Sequence, residues 1–252
     1  MTSRRPKSEK KAPPVILAVS QGFESRTFLF LARQASARCT PLDEPDALAA
    51  VVLAFTALEA LLNELRTAVG ILVRGFERND VAATNEIPES AVRVLRSFHG
   101  TISAPNYAFE SIETRYDDAF NAFSGSSVNR GSGSRQALGV LATLRNALVH
   151  LESQEIPITA DSAKGRPPSF PESGTWQGLI EYSHLYQPPF MCSLENWRLV
   201  ERRENRAWTD RVRNQRVAAW ACDTVERSAQ ELTSKFPALL RNELAGGSLS
   251  VE

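Results

Sequence analysis

Apolar residues recur at three- and four-residue steps over most of this chain. That is the period of a helix with one buried face. The clearest stretch runs from about Asp46 to Arg74, where Leu48, Val51, Val52, Phe55, Leu58, Leu62, Leu65, Val69 and Leu72 keep the step. Pro45 suits the first turn of that helix. The same period predicts a helix over Gly22–Arg38, with Phe23, Phe30 and Leu31 as its apolar positions, and another over Pro88–Phe98. Phe109–Phe123 reads as a helix with Tyr116, Ala119, Phe120 and Phe123 inward. Arg135–Glu152 reads as one with Leu138, Leu141, Leu144, Leu148 and Leu151 inward. A long last helix spans Thr209–Ser234, with Val217, Ala221, Val225 and Leu232 on one face, and Pro237 permits a final short turn.

The polar breaks separate these elements. Pro41 and Pro45 stop the first helix. Ser124–Ser134 is Gly/Ser-rich and forms an exposed turn. Residues 153–205 contain six prolines and break the helical period, so they read as a long irregular insertion with short strands such as Leu179–Tyr182. Val15–Val19 is a short strand or an extended lead-in. Residues 1–14 are polar and basic and end in Pro13-Pro14, which predicts a disordered tail. The expected architecture is all-α: one helical domain over 15–252, a bundle with its insertion before the last long helix.

Composition narrows the classes of function. The 252 residues hold 29 basic and 29 acidic side chains. The balance is uneven: +6 over residues 1–39, −7 over 40–125 and +1 over 126–252. A uniformly basic nucleic-acid binder is excluded, whereas local basic patches are not. No uninterrupted apolar run reaches the roughly 18 residues needed to cross a bilayer, and Val15–Val19 is too short for a secretory core. The expectation is a cytoplasmic protein without a membrane segment. Cys39, Cys192 and Cys222 make neither a C-x-x-C pair nor a zinc spacing, so no metal site or other cofactor is expected. Imidazole chemistry is restricted to His99, His150 and His184.

One segment combines the groups that phosphodiester chemistry needs: Leu144-Arg145-Asn146-Ala147-Leu148-Val149-His150. A guanidinium binds and neutralises phosphate. An imidazole moves protons near neutral pH. A carboxamide orients either partner. Asn146 and His150 are four apart and share a helix face, while Arg145 lies about 140° around from His150 and reaches back by its length. Arg93 and His99 have a similar spacing but lack the polar residue after Arg, and they read as a solvated face.

The string LRNALVH, after a Gly/Ser-rich turn and an apolar helix start, resembles the motif of the HEPN family (higher eukaryotes and prokaryotes nucleotide-binding). Phe55-Thr56-Ala57-Leu58-Glu59-Ala60-Leu61-Leu62-Asn63-Glu64-Leu65 is similar to the long early helix of that family. Ala219-Trp220-Ala221-Cys222-Asp223-Thr224-Val225 resembles its closing helix. The resemblance covers about residues 45–234. It implies a helical bundle that dimerises to bring two Arg/His motifs into one cleft. It further implies a metal-independent endoribonuclease, of toxin or antiviral-defence type, in which the ribose 2′-hydroxyl attacks and a cyclic phosphate is left. A neighbouring-gene partner such as an antitoxin is implied as well.

On this resemblance, His150 would be the general acid and base and Arg145 would stabilise the phosphorane charge. Asn146 would position the motif or the RNA, and Glu59 and Asn63 would support it. Glu59 and Asn63 also fit the polar edge of an ordinary amphipathic helix. Arg198–Arg216 carries a balance of +4 with Trp197 and Trp208 interleaved. Arg202, Arg203 and Arg206 are its candidates for RNA contact, against the alternative of a solvated face with Trp packed beneath. A non-catalytic nucleotide- or RNA-binding module, or a scaffold for a protein partner, is the competing reading of the whole chain.

Overall fold

The computed structural model describes residues 24–39, 45–78, 88–149, 188–202 and 206–244. These residues form nine α-helices and one 3-10 turn, and no strand occurs among them. In chain order the helices are α1 (Glu24–Arg38), α2 (Pro45–Glu77), α3 (Glu89–Ile102), α4 (Ile112–Ser124) and α5 (Gly133–Val149). They continue with α6 (Phe190–Asn196), α7 (Trp208–Val212), α8 (Gln215–Thr233) and α9 (Ala238–Leu244). The all-α expectation holds. The basic tail, Val15–Val19, Leu179–Tyr182, His150, Arg203 and His184 lie outside the described residues.

α2 is the spine. It begins at Pro45 as the sequence predicts, and its first-turn Asp46 takes the Arg38 guanidinium at 2.8 Å. Val51, Leu58, Leu65, Val69 and Val73 are all buried, and α1, α3, α5, α8 and α9 pack around the helix. Phe98 and Phe236 both meet Phe123 edge-on at 5.0 Å, closing the core between α3, α4 and the approach to α9. Such aromatic pairs add about 1 kcal/mol each beyond the area they bury. By length and composition alone α2 is apolar enough to cross a membrane, with a mean hydropathy of 1.8 over its best window. Glu59, Asn63 and Arg66 interrupt its apolar residues, so no uninterrupted apolar run reaches the bilayer length.

The caps explain the boundaries. The Ser111 hydroxyl accepts the Thr114 N–H at 3.1 Å and starts α4. Gly125 ends it in the left-handed region at φ 68°, which glycine alone adopts without a steric penalty. α5 is tied to α4 at its first turn. The Arg135 guanidinium meets Asp117 at 2.7 Å and Glu113 at 2.9 Å, and the side chains of Arg135 and Asp117 are only 11% and 7% exposed.

Several sequence expectations need correction. Phe30 and Leu31 are exposed, and α1 instead buries Ala32, Ala35 and Ser36 against α2, where small residues allow close approach. Phe109 belongs to the 3-10 turn Tyr107–Phe109 and is 88% exposed. The last long helix is two helices. Asn214 takes an extended conformation, and its side chain accepts the Val217 N–H at 3.0 Å while donating to the Arg211 carbonyl at 2.7 Å. A capping residue thus restarts the helix where periodicity alone saw continuity. Within 153–205 the described part, 188–202, contains one short helix, α6. α6 buries Phe190, Met191 and Leu194 in the core, and Phe190 meets Trp208 edge-on at 5.4 Å.

Candidate functional site

α5 presents the motif because its apolar stripe, Leu138, Leu141 and Leu144, is turned into the bundle. Arg145 follows directly and lies at the edge of that stripe, facing α2. Its guanidinium sits over the Phe55 ring, 5.4 Å from the centroid. Its Nη2 is 3.9 Å from Glu59 Oε2, and its Nη1 donates to Asn146 Oδ1 at 3.1 Å. The Arg145 Nε is buried and has no hydrogen-bond partner among the described residues. The structure therefore brings Arg145, Asn146 and Glu59 together, with Phe55 as a platform that the sequence reading counted only as core. Phe55 precedes Glu59 by four residues, so their shared face was the available signal. His150 follows Val149, the last residue of α5, and lies outside the described residues.

The contacts around Arg145 are weak ones. The ion pair with Glu59 is at the outer limit of contact, between side chains 23% and 39% exposed. Exposed pairs of this kind contribute about 0.5 kcal/mol. A cation over an aromatic face contributes about 0.5 to 1 kcal/mol. The arrangement orients a guanidinium without saturating it, which suits a group that must exchange its contacts for those of a phosphate.

Asn63 lies one turn beyond Glu59 and turns elsewhere. Its Oδ1 accepts from Arg115 Nη2 at 2.6 Å. Arg115 is 3% exposed, and its Nε has no hydrogen-bond partner among the described residues. Sequence reasoning missed it, although an arginine at an inward position of α4, beside Ile112, Tyr116 and Ala119, was a visible anomaly. The Arg115 carbonyl accepts from the Tyr107 hydroxyl at 3.4 Å. Burial pushes that hydroxyl up to about 12, with Asp118 adding to the shift and Arg115 and Arg66 opposing it. Tyr107 is thus a neutral donor.

The Arg-rich segment separates into different roles. Arg211 is buried and pairs with Glu195 while donating to the Glu201 carbonyl at 2.7 Å, so it fixes the α6–α7 connection. Trp208 is buried, and Trp197 lies 5.8 Å from Trp220. Arg202 and Arg206 are exposed, and Arg202 reaches Glu195 at 3.5 Å and Asn196 at 3.4 Å. These two arginines belong to the α6–α7 connection, whereas the Arg145 cluster lies between α5 and α2. Arg93 pairs with Glu89 on the solvated face of α3, as expected. The chain matches no protein-family model, no curated protein and no solved structure.

Proposed function

We propose that the protein is a HEPN-like, metal-independent endoribonuclease that acts as a homodimer in toxin or defence biology. The observation supporting this reading is the Arg145 cluster. It holds a guanidinium over Phe55, beside Glu59 and Asn146, at the end of the helix that leads into His150. In the proposed reaction the ribose 2′-hydroxyl loses its proton and attacks the adjacent phosphorus. The bond to the 5′-oxygen breaks, and that oxygen takes up a proton. The products are a 2′,3′-cyclic phosphate and a 5′-hydroxyl. His150 moves the protons, and Arg145 offsets the charge that grows on the phosphorane oxygens. Asn146 holds one edge of the guanidinium, and Glu59 restrains the other until RNA displaces it.

The test is incubation of the purified chain with RNA in EDTA. RNA should be cleaved to fragments with cyclic phosphate ends. Arg145→Ala and His150→Ala should each abolish cleavage while the far-UV circular dichroism stays that of the parent. Unchanged cleavage by both variants would overturn the assignment. The competing reading, a module that binds RNA or nucleotides without cleaving, is favoured by one feature: the guanidinium already has contacts on two sides. It predicts salt-sensitive binding with no products in the same assay.

A further inference from the structure

The polar edge of α2 does not end at Asn63. Glu59, Asn63, Arg66, Gly70 and Arg74 fall within a stripe about 80° wide, taking about 100° per residue. Along the axis, Glu59 to Arg74 spans about 22 Å at about 1.5 Å per residue. Beyond Asn63 the stripe forms one wall of a groove of about 470 Å³, and the end of α3 forms the other with His99, Ile102 and Ser103. Among the described residues the groove is lined by Arg66, Arg74 and His99 but by no carboxylate. Neither Arg66 nor Arg74 makes an ion pair among the described residues. The His99 Nε2 is 3.4 Å from the Ser103 hydroxyl. Asn63, at one end, has its carboxamide oxygen held by the buried Arg115, which leaves the amide N–H groups as its free donors. Gly70 is buried and adds no side chain between Arg74 and His99. A Cβ there would lie 3.6 Å from the Arg74 Nη1 and 3.9 Å from the His99 Nε2.

Cations without counterions in a groove free of acids are a site for an anion. Asp118 and Arg66 both act on the buried Tyr107, so an opposing charge stands in the neighbourhood, but Asp118 does not line the groove. We propose that this groove binds the phosphate backbone of single-stranded RNA, continuing along α2 the strand whose cleaved phosphate lies at Arg145. The linear continuity argues for a repeating anion rather than an isolated one. A single strand is the occupant proposed for this trough between two helices, and competition by a duplex tests it. The identity of the ligand rests on the ribonuclease reading, whereas the anion site does not.

The experiment uses the full chain carrying His150→Ala, so that binding is read without cleavage, and a fluorescein-labelled RNA 12-mer free of self-complementarity. Anisotropy titrations over a range of salt give the Kd and its salt slope. Arg66→Gln and Arg74→Gln should each weaken binding about fivefold near 100 mM salt and reduce the slope by about 0.7, the share of one phosphate contact on a single strand. Arg93→Gln, on the outer face of α3, should change neither. Urea midpoints close to the parent's verify folding. Unchanged Kd and slope in both groove variants, or no binding at all, overturn the proposal. Equal competition by a duplex overturns the single-strand assignment. Cleavage by the unsubstituted chain is measured separately. Loss of binding in the groove variants without any cleavage by the parent sustains the groove and refutes the nuclease. Cleavage by the parent with indifferent groove variants does the reverse.

Discussion

Two arginines on α5, ten positions apart, have opposite energetic roles, and replacing each by methionine separates them. For Arg145→Met the losses are small. The cation–π contact at 5.4 Å is worth about 0.5 to 1 kcal/mol, and the 3.9 Å pair with half-exposed Glu59 at most about 0.5. The bond to exposed Asn146 competes with water and adds little. Against these, the substitution removes a buried Nε that has no partner among the described residues, which recovers about 1 kcal/mol. Methionine also keeps contact with the Phe55 ring and has a helix propensity close to that of arginine. The net change should stay within about 1 kcal/mol.

Arg135→Met strands Asp117, whose side chain is 7% exposed and whose remaining partner, Arg130 at 3.4 Å, is itself 81% exposed. Breaking a buried pair from one side costs about 3 kcal/mol. Urea unfolding followed by far-UV circular dichroism should therefore show a gap of at least about 2 kcal/mol between the two variants at equal m-values. Cleavage or binding of RNA should follow the opposite order, lost in Arg145→Met and kept in folded Arg135→Met. A loss above about 2 kcal/mol for Arg145→Met would show that the cluster is a structural clasp, and the functional reading would fall with it.

Three further outcomes are expected. Arg198 sits at φ 59° just past Trp197, the C-cap of α6, where Arg198 N–H bonds to Glu195 O and Leu199 N–H to Leu194 O in a Schellman arrangement; Arg198→Gly should raise stability by about 1 kcal/mol in urea, and a loss would refute the strain argument. Burial pushes the Cys222 thiol up to about 11, whereas Cys192 is exposed; iodoacetamide near neutral pH should label the native protein at Cys192 and leave Cys222 unmodified by peptide mapping. Burial, then Asp117 and Glu110, raise the Asp118 carboxyl above its ordinary value, so the folded state binds this proton more tightly than the unfolded state and loses stability as pH rises past the ordinary carboxylate range. Asp118→Asn should raise the urea midpoint at neutral pH and lose that advantage near pH 3, and an equal gain at both pH values would contradict the assignment.

The helices were legible in the sequence wherever one side of the helix met the core. α2 begins at Pro45 and runs through the predicted Arg74 because its apolar step never falters. α5 buries three of the expected inward leucines, Leu138, Leu141 and Leu144; Leu148 is partly buried, and Leu151 lies outside the described residues. The misreadings have local causes. Alanine and serine on α1 carry too little hydrophobic signal to compete with Phe30 and Leu31, yet they are what close packing against α2 selects. Asn214 interrupts an apolar pattern that persists on both sides of it, and only its capping bonds show the restart. α6 is a short helix after a proline-rich stretch, too brief to establish a period.

The site was legible in parts, for a different reason. Spacing along one helix places Glu59 and Asn63 on one face, and it says nothing about which helix that face meets. The packing of α5 on α2 assigns Glu59 to Arg145, while α4 assigns Asn63 to Arg115. Two residues that read alike therefore serve two sites. The same geometry explains how the spine of the bundle can also present a line of polar side chains. Val51, Leu58, Leu65 and Val69 occupy the buried arc of α2, which leaves a neighbouring polar arc to keep a line from Glu59 to Arg74. A helix held so firmly by its core can carry Arg66 and Arg74 without counterions among the described residues, because their repulsion is small beside the core that fixes them.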